Sequence, residues 1–237
     1  MIKHITVLMF SLPALVSAED KPGNNEWKGE GELGYTQTSG NSKSKSLNAK
    51  LGIEKKQEKW KHKATLETLQ SSSDGTESAN RMVITARTEY KTNEKMYTFA
   101  GLRYEKDKFS GYDNQSSISL GIGKEFINND RHELDASLGL GYRQVKDTAT
   151  SKVSGDGIVT GNLNYLHKIS PHATFREKVL IESGNTNTYI ESETSLKMKI
   201  NGNLSSKIAY TVKQNSTVPA GTKKTDTVTT IALVYGF

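Results

Sequence analysis

From Trp27 to the final Phe237, apolar and polar residues alternate in one run after another, and no window holds a helical period. Such alternation marks strands with one apolar and one polar face, so a chain built of little else is an all-β protein. The cleanest run is Leu134, Ala136, Leu138, Leu140 and Tyr142, with Asp135, Ser137 and Gly139 interleaved. Twelve stretches of this kind are legible, each about ten residues, the length a tilted strand needs to cross a bilayer. Pro13 and Pro22 precede the first stretch, and Pro171 and Pro219 fall in connections. None would remove a ladder hydrogen bond. A hydrophobic content of 34% is lean for a soluble core, but it suffices for a barrel that needs only one apolar face. The expected fold is an antiparallel transmembrane β-barrel of about twelve strands over residues 27–237.

The connections are expected to alternate. Tight turns fall near 55–59, 92–95, 127–131, 170–172 and 201–203, and longer loops near 39–45, 72–78, 107–114, 145–156 and 214–224. Residues 183–187 (SGNTN) are a short exception. In outer-membrane barrels the short side is periplasmic. The first residues fit export: Lys3 and His4, an apolar run from Ile5 to Leu15, then Val16-Ser17-Ala18 as a cleavage site. This predicts a signal peptide over 1–18 and a short periplasmic tail over 19–26. The chain has no cysteine, which excludes disulfides and thiol metal sites. Its net charge of +6 is spread along the chain without a basic block, so nucleic acid is not an expected partner.

Alternation alone does not say which face points outward, because soluble ligand-binding barrels alternate too. The aromatic residues decide for apolar-outward. Trp27, Trp60, Tyr90, Phe126, Tyr165, Phe175, Tyr235 and Phe237 fall at one end of the strands, and Tyr35, Tyr104, Tyr142 and Tyr210 toward the other. Two such bands suit two membrane interfaces, with lipid and lipopolysaccharide as surroundings. Tyr97 and Phe99 fall on the other face. The polar face carries charges of both signs, among them Lys50, Lys63, Glu67, Arg87, Arg103, Glu105, Asp135, Arg143, Arg176, Glu191, Glu193 and Lys197. Lysine or arginine at a bilayer midplane costs about 2–4 kcal/mol, so these residues are expected to line a lumen. Glu177 is an exception, on the apolar face near a strand end. Alternating Ile231, Leu233, Tyr235 and terminal Phe237 resemble the C-terminal signal read by the barrel-assembly machinery.

Specific motifs add a family. They are W-x-G-x-x-E-L-G-Y-x-x-x-x-G-N-S from Trp27 to Ser42, L-R-Y-E-K-D-K-F-S-G-Y-D from Leu102 to Asp113 followed by G-I-G-K-E-F, E-S-G-N-T-N-T from Glu182, and K-T-D-T-V-T-T from Lys224. Together they resemble the salt-induced outer-membrane proteins, the YdiY-like β-barrels, over essentially the whole mature chain. The resemblance implies an outer-membrane barrel associated with salt stress. It implies no reaction.

The residues point to no catalytic centre, cofactor or metal. His167-Lys168-Ile169-Ser170 has the wrong spacing for the H-x-S of a barrel phospholipase, and Thr174 after His172 lies at a turn. His62, His132, His167 and His172 all fall at the expected periplasmic ends, away from any extracellular rim. Glu133 with Asp135, and Glu191 with Glu193, share a face, but bases are as plentiful there, which favours salt bridges over acid–base work. Asp107 to Asn114 lacks the acidic spacing of a calcium loop. The expected function is that of a porin-like barrel for envelope adaptation to salt, its lumen either a narrow pore or filled by salt bridges. The alternative is a soluble periplasmic barrel holding an apolar ligand.

Overall fold

The computed structural model describes residues 26–38, 44–107, 112–148, 150–218 and 223–237. The expected signal peptide and all of the tail but Glu26 lie outside the described residues. Alternation becomes twelve strands: β1 (Glu26–Thr38), β2 (Ser44–Lys56), β3 (Trp60–Ser73), β4 (Thr76–Lys91), β5 (Met96–Asp107), β6 (Tyr112–Asn128), β7 (His132–Asp147), β8 (Val153–Ser170), β9 (Ala173–Gly184), β10 (Thr188–Asn201), β11 (Leu204–Asn215) and β12 (Thr225–Gly236). Each pairs antiparallel with its sequence neighbours, and β1 pairs with β12 to close the barrel. Closure leaves no free edge for another chain to pair with. The start of β1, the end of β12 and the turns at 57–59, 92–95, 129–131, 171–172 and 202–203 lie at one end, here the near end; the other connections lie at the far end.

Two expectations need correction. The strands run from 12 to 18 residues, longer than the apolar stretches. Backbone pairing needs no apolar side chain, so ladders continue through polar segments such as Thr76 to Asn80, where alternation fades. The connection near 72–78 is not a long loop. It is a two-residue turn at Asp74 and Gly75, with φ of 48° and 81°. Two left-handed residues in succession match the right-handed twist of a hairpin, and an Asp-Gly pair is well suited to supply them.

The register fixes the faces. Leu138 and Leu140 are 67% and 71% exposed on the outside, whereas Ser137 between their strand neighbours is 4% exposed inside. The outside carries Leu33, Leu51, Ile84, Leu102, Ile118, Leu120, Ile231 and Leu233. A contiguous apolar surface of this extent is not compatible with water. In β6 a bulge at Phe126 shifts the register from Glu125↔Asp135 to Ile127↔Leu134, which leaves both Phe126 and Ile127 exposed.

Most of the expected girdle rings lie toward the strand ends, whereas Tyr210 lies in the middle of β11. Trp27, Tyr35, Trp60, Phe126, Tyr142, Tyr210, Tyr235 and Phe237 are exposed, and Tyr90, Tyr104 and Tyr165 half-exposed. At the near end they cluster: Trp60 against Tyr90 at 4.8 Å, Tyr165 against Phe175 at 6.4 Å, Tyr235 against Phe237 at 6.5 Å. Lys55 caps the ring of Trp27, and Lys124 that of Phe126. The histidines join this band: His132 stacks on His167, and His62 pairs with Thr88. Glu177 does face outward, but the hydroxyls of Ser192 and Thr194 on β10 donate to it at 2.7 and 2.5 Å.

Candidate functional site in the barrel lumen

Even-numbered residues of β1, β2 and β9 and odd-numbered residues of β3, β4, β5, β7, β10 and β11 point inward, where no apolar neighbour can satisfy a charge. The interior is therefore organised by ion pairs. At its centre, Arg81 on β4 donates to Glu105 at 2.5 Å, to Glu67 at 3.0 Å and to Glu191 at 3.1 Å. Arg103 on β5 donates to Glu105 at 2.7 Å and to Glu191 at 3.1 Å, and its guanidinium lies against the Tyr189 ring. Tyr189 donates its own hydroxyl hydrogen to Glu191.

The topology gives these contacts their meaning. β4 and β10 stand six places apart in a ring of twelve, so Arg81 and Glu191 meet from opposite walls. The bridge spans the lumen rather than lining it. Arg81 and Glu105 are only 4% exposed at the side chain, so both charges are fully enclosed. Such a pair survives because both Glu105 oxygens and all three Arg81 nitrogens find partners.

Around this bridge the other charges sort by wall. Lys50 reaches Glu67 at 3.2 Å and Glu193 at 3.5 Å; Lys207 reaches Glu32 at 3.1 Å and Glu193 at 3.2 Å; Lys197 reaches Glu30 at 2.6 Å. Lys63 pairs with Glu54 at 3.5 Å nearer the mouth. A cavity of about 20 Å³ lies between Lys50, Glu67, Glu193 and Lys207, space for about one water molecule. On the opposite wall Arg87 binds Glu89 at 2.7 Å and Ser137 at 3.1 Å while lying 3.7 Å over the Phe99 ring. Asp135 accepts from Tyr97 at 3.0 Å and Asn164 at 3.2 Å.

Tyr97 and Phe99 are the two rings that the alternation placed inside, and both are buried there. Their seat is a row of glycines. A Cβ on Gly121 would meet Phe99 Cε1 at 2.7 Å, one on Gly139 would meet Phe99 Cζ at 2.9 Å, and one on Gly123 would overlap the Tyr97 ring. The G-x-G spacing on β6 and β7 serves this packing.

The far mouth carries a part that reads as simple turn chemistry in sequence. The 185–187 hairpin folds inward, and Asn187 is 7% exposed. Asp156 accepts from the backbone and hydroxyl of Thr186 at 2.8 and 2.9 Å. Arg143 donates to the Asn187 carbonyl and faces Glu182, which also accepts from Ser117 at 2.8 Å. Asn187 in turn contacts Asn215, Ser216 and Thr217.

The sequence-derived set thus divides. Lys50, Glu67, Arg103, Glu105, Glu191 and Glu193 meet in the central network; Arg87 and Asp135 lie on the ring-packed wall; Arg143 belongs to the far mouth, and Lys63 and Lys197 to the near half. Arg176 makes neither an ion pair nor a hydrogen bond. Glu30, Glu32, Glu182, Tyr189, Asp156 and Asn187 had not been singled out. For Glu30, Glu32 and Tyr189 the parity opposite Leu33 and Ile190 was the available signal.

The chain's relatives match this architecture. Among solved structures it is similar to the COG4313 outer membrane channel of Pseudomonas putida F1, with a TM-score of 0.55 at 11% identity over 95% of this chain and 99% of that one. It is also similar to the NanC porin, with a TM-score of 0.51 at 11% identity over 89% and 98%, and to the translocator domain of the autotransporter NalP from Neisseria meningitidis, with 0.50 at 15% over 92% and 89%. These likenesses are of fold. In sequence it is 28% identical over 225 residues to the uncharacterized protein YdiY of Escherichia coli K12, covering 91% of this chain and 86% of that protein. A family model described as a protein of unknown function, DUF481, matches residues 31–237, and the chain belongs to that family.

Proposed function

We propose that this chain is exported by a signal peptide cleaved after Ala18 and assembled into the bacterial outer membrane through its C-terminal strand. There it serves as a porin-like barrel whose lumen is latched shut at rest, with a part in envelope adaptation to salt. The outward apolar surface supports the location, because it needs lipid and lipopolysaccharide around it. The rings at both strand ends fit the two interfaces. The observation that carries the latched lumen is the crossing of Arg81 and Arg103 to Glu191 from opposite walls. A soluble barrel for an apolar ligand would need the reverse arrangement, apolar inside and polar outside.

The role in salt adaptation rests on the family resemblance and on one physical point. Ion pairs near a wet mouth weaken as ionic strength rises, because the Debye length falls from about 10 Å at 0.1 M to about 3 Å at 1 M. The role involves no cofactor and no catalysis. Two measurements test the reading. Cell fractionation should recover the mature chain in the outer membrane, released only by detergent; recovery in the soluble periplasm would overturn the location. Liposomes carrying the purified barrel should take up small sugars no faster than empty ones, and rapid uptake would overturn the latch.

A further inference from the structure

The near half of the lumen holds more cation than its carboxylates neutralise. Five bases project into it from β2, β9, β10 and β11: Lys50, Arg176, Lys178, Lys197 and Lys207. Three are matched. Lys197 holds Glu30, Lys207 holds Glu32 and Glu193, and Lys50 holds Glu67 and Glu193. Among the described residues, Arg176 and Lys178 have no carboxylate within 4 Å and no hydrogen bond. The carboxylate facing Lys178 across the β9–β10 ladder is Glu193, already shared by Lys50 and Lys207. Glu30, which feels the charge of Arg176, is already held by Lys197. Besides Glu193, the charges that act most strongly on Lys178 are those of Lys50, Arg176 and Lys207, all positive.

The two unmatched bases lie on one face of β9. They are two residues apart, about 7 Å along the strand. That spacing lets one tetrahedral oxyanion sit between a planar guanidinium fork and a compact ammonium, the two donor types best suited to it. Asn164, paired with Lys178 on β8, also points inward, where its amide donates to Asp135 at 3.2 Å. A cavity of about 340 Å³ opens at the near mouth, bounded by Glu30, Lys197, Lys199 and Phe237.

We propose that Arg176 and Lys178 form an anion site in the near half of the lumen that takes a doubly charged oxyanion such as hydrogen phosphate or sulfate. The charge count sets the valence, since a monovalent anion would leave one of the two bases unmatched. The site goes beyond the latched-barrel reading and does not depend on it, because the bridge at Arg81 and Arg103 is formed by other residues.

Isothermal titration of the detergent-solubilised barrel with sulfate at pH 6, against acetate at equal ionic strength, tests this. One saturable sulfate site is expected, with acetate at least tenfold weaker. The Arg176→Gln/Lys178→Gln variant should bind sulfate at least tenfold more weakly, while Lys199→Gln on the rim changes affinity less than threefold. Should the double variant lose the gel mobility of the folded barrel, Lys178→Arg keeps the charge and should keep the affinity. No saturable sulfate heat up to about 10 mM in the unmodified protein would overturn the site. So would unchanged affinity in the double variant, and equal binding of acetate would overturn its divalent character. A leaky barrel that still binds sulfate in this way would refute the latch alone.

Discussion

The wall formed by β5, β6 and β7 and the wall formed by β9, β10 and β11 both fill the lumen, but by different physics. On the first, Tyr97 and Phe99 lie on Gly121, Gly123 and Gly139, and Arg87 lies over Phe99. The contact is steric, insensitive to salt and intolerant of added atoms. On the second, filling is electrostatic: Glu191, Glu193, Lys197 and Lys207 reach charges on β1, β2, β4 and β5. Its strength depends on burial and on what each pair loses if one partner goes. The proposed latch would then be rigid on one side and responsive on the other.

The largest expected effect is at the bridge. Arg81→Ala leaves Glu105 enclosed beside Glu67 and Glu191, and removing one partner from a buried pair costs about 3–5 kcal/mol. Urea-induced unfolding, followed by Trp27 and Trp60 fluorescence, should show that loss. Adding Glu105→Gln should recover part of it. A cost below about 1 kcal/mol would mean that water already solvates the bridge.

On the ring-packed wall the effect should be smaller and indifferent to salt. Gly121→Ala forces a Cβ against Phe99 and the Leu138 carbonyl, and overpacking of this kind costs about 1–3 kcal/mol. Phe99→Leu in the same chain should relieve part of the loss. The same destabilisation at low and high ionic strength is expected; a strong salt dependence would break the distinction between the walls.

The smallest effect belongs to pairs near the mouth. Lys197 and Glu30 are each 35% exposed at the side chain, so their coupling should be about 0.5 kcal/mol at low salt and fall toward zero at about 1 M. A double-mutant cycle with Lys197→Gln and Glu30→Gln measures it. Coupling that does not change with salt would place this pair with the buried ones.

Much of this was legible in the sequence, and the rest was not for reasons that can be named. Alternation yields the twelve strands and sorts each into two faces, because each strand reports its own parity, and the aromatic bands say which face is outward; Leu138 outward and Ser137 inward follow from these two readings with no knowledge of strand partners. The abundance of both signs on the polar face also foretells mutual pairing. The partners are not foretold. Arg81 and Glu191 are separated by 110 residues, and only barrel closure brings β4 opposite β10. Glu177 looked misplaced because its donors, Ser192 and Thr194, come from the β9–β10 register. The inward fold of 185–187 depends on Asp156 and Arg143 on strands β8 and β7, which no local turn pattern contains.

The central claim is that Arg81 and Arg103, meeting Glu191 from the opposite wall, hold the lumen shut. Planar-bilayer recording tests it most directly, with the unmodified barrel beside Arg103→Ala and Arg81→Ala at the same protein load. Small or absent conductance is expected for the unmodified barrel, with discrete or noisy openings appearing in each variant whose barrel still assembles. A large, steady conductance in the unmodified protein, left unchanged by either substitution, would contradict the latch.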